Sequence, residues 1–455
     1  MGAPSVNLKQ IIIKITRDID KNALRHSALF YVPSLATTLV SFLLFSAFKG
    51  FNPYEHNKLQ VIIMASIIVS LVSVAGIQFL INKVVGEASQ SEDRINQKTA
   101  ASGFIKLAVI ISAILSIAVS VILYKYFNQA IHLSALEFLL FMILGLFYSV
   151  IWVLTAAFWA WGLYKYPAII YVISYFAIFI FSYFGYRLSP SDFIIGYAGG
   201  VALLVVLLSF FSWKFFRGKE KTKPLIENAR KLPNLIAKNY WGILFQTFFI
   251  LAIFLDKIIV WISEGTKVGT GIQFTGVYTT GAFLGLIPTF SLVALAYFTE
   301  KVKPLSKGMY SGTLQELRNR IQEYKQIYTE GLVTMLSIGF GLLAIVVILG
   351  QLIIRNTDVT LITLTIGVGT LFFEVILFNA FILPVFHKSH ISAIAMFIVC
   401  LAEISTLLLV RDNVWFASLG FLVGSEAGLL LSHITTRKML AEFDYNAFRA
   451  FQLDN

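Results

Sequence analysis

Three glutamates lie near the middle of long apolar runs in the second half of the chain: Glu374, Glu403 and Glu426. Ionisable side chains are costly inside a bilayer, so they mark candidate functional sites. Such carboxylates could bind a proton or a monovalent cation, or face a hydrophilic substrate in a cavity. Alternatively, each is protonated and hydrogen-bonded to a neighbouring helix. We expect none of the three to face lipid, and at least two of them to line a cavity or contact a polar group.

A second candidate site is the segment FLDKIIVWIS, which contains Asp256 and Lys257. Neighbours in sequence point about 100° apart on a helix, so these two need not pair with each other. Lys257 shares a helical stripe with Gln246 and Asn239, and that stripe would be wet or face other helices. Lys257 then contacts substrate, an anionic lipid or a partner carboxylate, and Lys257→Met should lower polymer export while membrane abundance stays normal. In the alternative interpretation Lys257 only snorkels to the interface, and Lys257→Met would leave transport unchanged.

Two prolines and one glycine series predict local helix geometry. Pro33 and Pro288 each remove a backbone donor inside an apolar run and favour a kink, either static or used for gating. Gly420, Gly424 and Gly428 follow one another at four-residue spacing, which permits close helix packing. Because Glu426 lies two residues from two of these glycines, we expect it to face away from that packed seam.

Motifs for catalysis are absent from the chain. It contains no GxxxxGK[ST], HExxH or GxSxG pattern, and its single cysteine, Cys400, excludes a disulfide framework or a thiolate metal site. We therefore predict no enzyme activity, no catalytic residue, no metal and no cofactor beyond a coupling proton or monovalent cation. The 36 Lys/Arg against 24 Asp/Glu are interpreted as cytoplasmic loops beside anionic lipid rather than as a nucleic-acid surface.

The elements that position these residues are predicted membrane helices. Of the 455 residues, 58% are hydrophobic and 13% charged, whereas a soluble chain carries about 25% charged residues. Apolar runs long enough for a span of about 20 residues occur twelve times. They are 27–48, 60–82, 103–124, 134–160, 167–186, 192–213, 239–262, 274–298, 328–354, 359–385, 390–410 and 414–436. The prediction is an all-α polytopic membrane protein of about 12 transmembrane helices.

Loop charges predict the orientation of these helices. With a cytoplasmic N-terminus, the inside segments hold 27 Lys/Arg and the outside loops hold seven. Cytoplasmic loops carry the excess of such residues in membrane proteins. Both termini are therefore predicted to be cytoplasmic, and reporters at Asn455 and within 219–235 should both be cytoplasmic.

The longest basic linker divides the spans six and six. We predict an amphipathic cytoplasmic segment at 1–26, an N-lobe at 27–216, a cytoplasmic linker at 217–238, a C-lobe at 239–436 and a cytoplasmic tail at 437–455. A second amphipathic helix is predicted at 312–328. It either connects two spans or docks a cytoplasmic partner. Paired lobes are common in alternating-access transporters, where substrate binds between them.

The pattern of two lobes and few charges resembles the multidrug/oligosaccharidyl-lipid/polysaccharide (MOP) exporter superfamily, whose MATE members share this plan. A narrower resemblance, to the PelG family of exopolysaccharide transporters, covers residues 251–332. It rests on FLDKIIVWIS, on VYTTGAFLGLIPTFSLVALAYFTE, which ends at Glu300, and on MYSGTLQELRNRIQEYKQIYTEGL. The chain departs from the family at Val6–Gln10 and around Pro33.

This resemblance implies a multi-pass protein of the cytoplasmic membrane that exports a Pel-like polysaccharide or a lipid-linked oligosaccharide through a cavity between the lobes. It also implies a cytoplasmic glycosyltransferase and membrane subunits of a Pel-like complex as partners. The alternatives are a cation-coupled multidrug or metabolite antiporter of the same superfamily, a membrane glycosyltransferase, and a membrane scaffold without transport activity.

Overall fold

The computed structural model describes residues 53–90, 94–217, 223–268, 276–292, 314–386, 388–406, 409–410 and 413–442. Within these ranges the chain is helical and forms no strand. We label the helices α1 (Pro53–Gln90), α2 (Arg94–Ile131), α3 (Ala135–Ala160), α4 (Lys165–Tyr186), α5 (Pro190–Phe216), α6 (Lys223–Lys238), α7 (Tyr240–Val268), α8 (Gly276–Gly285), α9 (Leu314–Ile354), α10 (Thr357–Ala380), α11 (Ser389–Ser405) and α12 (Trp415–Ala441). Short 3-10 segments follow α8 at Ile287–Leu292 and α10 at Leu383–Phe386.

The helices confirm the predicted all-α membrane fold. Nine of those in the described ranges are long and apolar enough to cross a membrane, and two shorter apolar stretches cover Gly276–Leu292 and Ser389–Ser405. Every predicted span from 60–82 onward coincides with one of these elements. The predicted first span, Pro33 and the segment 1–26 lie outside the described residues, as does most of the tail.

Polar side chains cap the N-terminal ends of several helices. At α3, the Ser134 hydroxyl accepts a hydrogen bond from the Glu137 backbone N–H, and the Glu137 carboxylate accepts one from the Ser134 backbone N–H at 2.7 Å. Ser189 caps α5 just before Pro190, and the Asn356 side chain caps α10. These partners satisfy the amide groups that an α-helix leaves unpaired in its first turn.

Residues Leu29–Thr275 form the first of two compact units. Its helix α7 packs tightly on α1, because a Cβ atom at Gly76 would lie 2.7 Å from Cγ2 of Ile243. A Cβ at Gly242 would likewise overlap the ring of Phe79. Packing thus groups α7 with the preceding helices. The predicted lobe boundary at 239, which assigns α7 to the C-lobe, stays a prediction from the sequence.

The second unit contains Gly276–Asn455. Its glycine series packs α12 on α11, as the sequence predicts. A Cβ at Gly424 would lie 2.9 Å from the Val399 Cα and the Ala402 Cβ, and one at Gly428 would lie 2.8 Å from the Ala395 carbonyl oxygen. The other face of this unit has an apolar core shared by α9, α10 and α12.

Two segments differ from the sequence prediction in their secondary structure. The described part of the predicted linker, 223–238, is the helix α6, which includes Pro233. The predicted amphipathic helix at 312–328 is not separate from the following span, because α9 runs without a break from Leu314 to Ile354. Helix α6 is thus a separate helix between two spans, whereas the predicted 312–328 helix is the first part of a longer one.

The predicted span at 274–298 is interrupted. Helix α8 ends at Gly285, and the chain continues as the 3-10 segment Ile287–Leu292, in which Pro288 is buried. The Leu286 carbonyl accepts hydrogen bonds from the Thr289 N–H at 3.0 Å and from its hydroxyl at 2.6 Å. The sequence prediction that Pro288 distorts this span is confirmed, while a gating role for it stays a prediction.

Candidate functional site

The strongest candidate site is Glu374, in the second half of α10. Its side chain is fully buried, with 0% of its surface exposed. The Ser291 hydroxyl, on the 3-10 segment after α8, donates a hydrogen bond of 2.6 Å to its Oε2. From α9, Gly339 approaches so closely that a Cβ there would lie 3.3 Å from the same oxygen. Three elements of the second unit therefore converge on one carboxyl group.

Threonines of α10 hold the interrupted helix in place beside Glu374. The Thr363 hydroxyl donates to the Gly281 carbonyl at 3.2 Å, and the Thr370 hydroxyl donates to the Gly285 carbonyl at 2.9 Å. Gly281 and Gly285 also allow the two helices to touch, because added Cβ atoms would lie 2.9 and 2.7 Å from isoleucine side chains of α10. Interruption of α8 thus leaves its C-terminal carbonyls satisfied and the 3-10 segment next to the carboxyl group.

The second oxygen of Glu374, Oε1, is buried without a hydrogen-bond partner in the described part of the chain. A buried charge or an unpaired polar atom is unfavourable unless something compensates it. A proton or a small monovalent cation would supply that compensation. Interrupted membrane helices commonly surround such ion sites in secondary transporters.

A second cluster of polar side chains lies in the same unit, and it contains no Asp, Glu, Lys or Arg. The Tyr328 hydroxyl of α9 donates to the Asn379 side-chain oxygen of α10 at 2.9 Å and lies 3.3 Å from Nδ1 of His433 in α12. The Asn379 amide donates to the Ser432 hydroxyl at 3.2 Å. These bonds join three helices across their shared apolar core. Neutral polar residues inside apolar runs are the only sequence signal for this network, and such residues do not by themselves mark a site.

The other two glutamates occupy different settings. Glu403 is fully buried in α11, and its Cα lies 3.1 Å from where a Cβ at Gly420 would be, so it belongs to the α11–α12 seam. Glu426 is exposed on the surface of its unit, facing away from the glycine series as predicted. Glu374 and Glu403 are therefore covered by protein rather than lipid, and for Glu426 this stays a prediction. Their roles in substrate or ion binding stay predictions.

Asp256 and Lys257 form a buried ion pair in α7. The Lys257 ammonium lies 2.9 Å from Oδ1 of Asp256 and donates a 2.8 Å hydrogen bond to the Ile253 carbonyl. Both side chains are 1% exposed. The two neighbours pair although they point in different directions on the helix, because the long lysine side chain folds back along α7. Protein, rather than the membrane interface, covers the ammonium group, so a snorkelling role does not fit.

The rest of the predicted Lys257 stripe faces α1 at its inner end. Asn239 is buried and accepts a 2.8 Å hydrogen bond from the Lys83 ammonium, whereas Gln246 is half-buried. A further ion pair joins Lys58 of α1 to Glu137 of α3 at 2.7 Å, at the predicted outer end. Sequence reasoning missed this pair because its partners belong to different spans. Among the described residues no group of three His, Cys, Asp or Glu side chains is arranged to hold a metal ion.

Comparison with solved structures shows which known fold the chain shares. This chain is similar to a multidrug resistance MATE family transporter of the MOP superfamily, solved in an outward-facing conformation. The TM-score is 0.64 at 12% identity, and the match covers 95% of this chain and 98% of that chain. A MATE structure in complex with MaL6 has a TM-score of 0.63 at 13% identity, covering 95% and 99%. A MOP superfamily transporter from Pyrococcus furiosus has a TM-score of 0.63 at 12% identity, covering 94% and 98%. The fold is therefore that of MATE and other MOP transporters.

Sequence comparison then gives the family. Residues 7–448 match the family described as "PelG: Putative exopolysaccharide Exporter (EPS-E)". The chain belongs to the PelG exopolysaccharide exporter family, as the motifs in 251–332 predict. It is a multi-pass protein of the cytoplasmic membrane, and its family and fold are those of a transporter for a polysaccharide-type substrate. No curated protein matches the sequence.

Proposed function

We propose that this protein exports an exopolysaccharide across the cytoplasmic membrane and that uptake of a proton or monovalent cation at Glu374 drives its conformational cycle. The observation that carries the second part is the buried carboxyl group with one oxygen bound by Ser291 and the other without a partner in the described residues. The first part is supported by the family.

Coupling at Glu374 has a direct physical basis. Binding can shift an equilibrium between two conformations only if the ligand interacts differently with each of them. An ionised Glu374 buried against Ser291 and Gly339 is unfavourable, so the arrangement favours the loaded or protonated side chain. Loss of the ion would favour a conformation in which the 3-10 segment Ile287–Leu292 separates from α10 and water reaches the carboxylate.

The proposed substrate is a Pel-like polysaccharide or a lipid-linked oligosaccharide. Polymer would be supplied by a cytoplasmic glycosyltransferase acting with membrane subunits of a Pel-like complex, because a growing polysaccharide must be made on the side from which it is exported. A route between the two lobes stays a prediction from the sequence.

The test replaces Glu374 with glutamine in cells that make the polymer. Glutamine can still accept the Ser291 hydrogen bond but cannot bind a proton in the same pH range or neutralise a cation. We expect Glu374→Gln to abolish polymer secretion while membrane abundance stays normal. Glu55→Gln removes the same charge from an exposed position outside the candidate site and is the matched control, with secretion expected near wild type. Normal secretion by Glu374→Gln would overturn the coupling assignment.

The antiporter alternative is separated by a second measurement. Some solved transporters of this fold are described as multidrug resistance proteins. If the chain is such an antiporter, its deletion would sensitise cells to cationic dyes while polymer secretion continues. Export of the polysaccharide predicts the reverse, with secretion lost and dye tolerance unchanged.

A further inference from the structure

Helix α6, in the basic segment between α5 and α7, has three distinct faces. Asn228, Leu232 and Leu235 recur at helical spacing and are half-buried. Ala229, Pro233 and Ile236 form a second stripe at spacings of four and three, and all three are exposed, with Ile236 at 41%. The third face is polar and exposed. An apolar stripe of this kind in contact with water is unfavourable and needs a covering partner.

Two hydrogen bonds, one from the first half of α6 and one to the residue directly after it, fix the depth of this helix. The Asn228 side chain donates to the Ala100 carbonyl at 3.0 Å, near the start of the apolar part of α2, which begins at Lys98. Directly after α6, Asn239 is bound by Lys83 near the end of the apolar part of α1. The end of the α1 span and the start of the α2 span lie on the same side of the membrane. Because the two hydrogen bonds tie α6 to these two span ends, the helix runs along that membrane surface. Loop charges place that surface on the cytoplasmic side.

Exposed aromatic side chains flank α6 at the same level. Trp213 is 57% exposed near the end of α5, with the Arg217 guanidinium 4.9 Å from its ring centre. Tyr240 and Trp241 are exposed at the start of α7. Such amphipathic rings favour the headgroup region of a bilayer. They support a depth at which the apolar stripe reaches the acyl chains.

The polar face of α6 has an excess of positive charge. Arg230, Lys231 and Lys238 are exposed there, against Glu227. Lys231 donates a hydrogen bond to Glu227 at 2.5 Å, and this bond and the nearby positive charge lower the pKa of Glu227 below its ordinary value. Arg230 and Lys238 make no hydrogen bond or ion pair in the described structure. Each basic residue near an anionic membrane surface contributes about 1 kcal/mol of attraction.

We infer that α6 is a binding surface for anionic phospholipid headgroups of the inner leaflet. The stripe of Ala229, Pro233 and Ile236 inserts among the acyl chains, and Arg230 and Lys238 bind phosphate-bearing headgroups beside it. A peripheral protein would need a complementary acidic, apolar surface, whereas an anionic leaflet supplies both features at the depth where α6 lies.

The experiment measures the depth of α6 in the full-length protein. Cys400 is buried, and in a Cys400→Ala background a fluorophore is attached through Ala229→Cys on the stripe or Asn234→Cys on the polar face. The protein is placed in nanodiscs of phosphatidylcholine alone or with phosphatidylglycerol. We expect brominated acyl chains to quench the label at 229 more strongly when phosphatidylglycerol is present. At 234 we expect iodide in the water to quench instead.

Charge variants test the headgroup part. Arg230→Gln with Lys238→Gln should remove the phosphatidylglycerol preference at 229, while Lys165→Gln with Arg355→Gln, two exposed cations elsewhere, should keep it. Equal iodide quenching at 229 and 234 in both lipids would overturn the inference. Protection of position 229 from both quenchers, as a protein partner or another part of the chain would cause, also overturns it. All four substitutions are at exposed positions, and gel filtration of each variant verifies that the protein is folded.

Discussion

The buried pair of Asp256 and Lys257 makes a prediction about stability. Because the ammonium group is covered by protein and bound to Asp256, Lys257→Met would remove the ammonium partner of a buried carboxylate. Removal of one partner from a buried ion pair costs about 3–5 kcal/mol. We expect Lys257→Met to lower membrane abundance as well as export, and Asp256→Asn combined with Lys257→Met to restore abundance. Fluorescence-detected gel filtration of tagged protein measures both.

The double variant also separates structure from transport. Restored abundance without restored export would give the pair a transport role in addition to its role in folding. Normal abundance of the single Lys257→Met variant would contradict the stability argument and return Lys257 to direct contact with substrate or lipid.

The hydrogen bond from Ser291 to Glu374 makes a second prediction for a single residue. Ser291→Ala leaves a buried carboxyl oxygen without its donor, which costs about 1–3 kcal/mol. We expect a lower thermal unfolding midpoint in detergent. Ser337→Ala removes an exposed serine that bonds only within α9, and should change stability by no more than about 0.5 kcal/mol. Equal midpoints for both variants would show that the Ser291 bond contributes nothing.

Close packing of α11 and α12 is tested by adding a single methyl group. Gly424→Ala would place a Cβ 2.9 Å from the Val399 Cα, and backbone atoms cannot move aside as side-chain ends can. Overpacking of this kind costs about 1–3 kcal/mol. Gly341→Ala in α9 meets no atom within 4 Å and should be neutral or gain about 0.5–1 kcal/mol. Thermal unfolding of both variants in one detergent gives the comparison, and a stabilised Gly424→Ala would refute the seam.

At the scale of helices, hydropathy predicts the helix positions that depend on local sequence. It locates α5, α10 and α12 to within a few residues, since long apolar runs and their caps are local features. Helix α6 was missed because a basic, proline-containing segment suggests a linker, although Ala229, Leu232 and Ile236 already recur at helical spacing. The partners of Glu374 and Tyr328 were not predictable, because they come from helices far away in sequence and depend on packing.

For the whole molecule, topology is the main prediction. The charge bias predicts that both termini and the segment between α5 and α7 lie in the cytoplasm. We expect reporter fusions at Asn455 and insertions at 219–222, ahead of α6, to be active only if their reporter works in the cytoplasm. Alkaline phosphatase and green fluorescent protein give opposite signals and control for expression. A periplasmic signal from either position would overturn the orientation, and with it the depth argument for α6.

Helix α9 is longer than a bilayer requires. Its 41 residues correspond to a length of about 60 Å at 1.5 Å per residue, whereas the hydrocarbon core is about 30 Å thick. No break separates the two parts of α9 in the described residues, so one continuous helix joins Leu314 to Gly339, beside Glu374. If Glu374 binds the coupling ion as proposed, a partner that binds the Leu314 end of α9 would be connected to the ion site through this single helix.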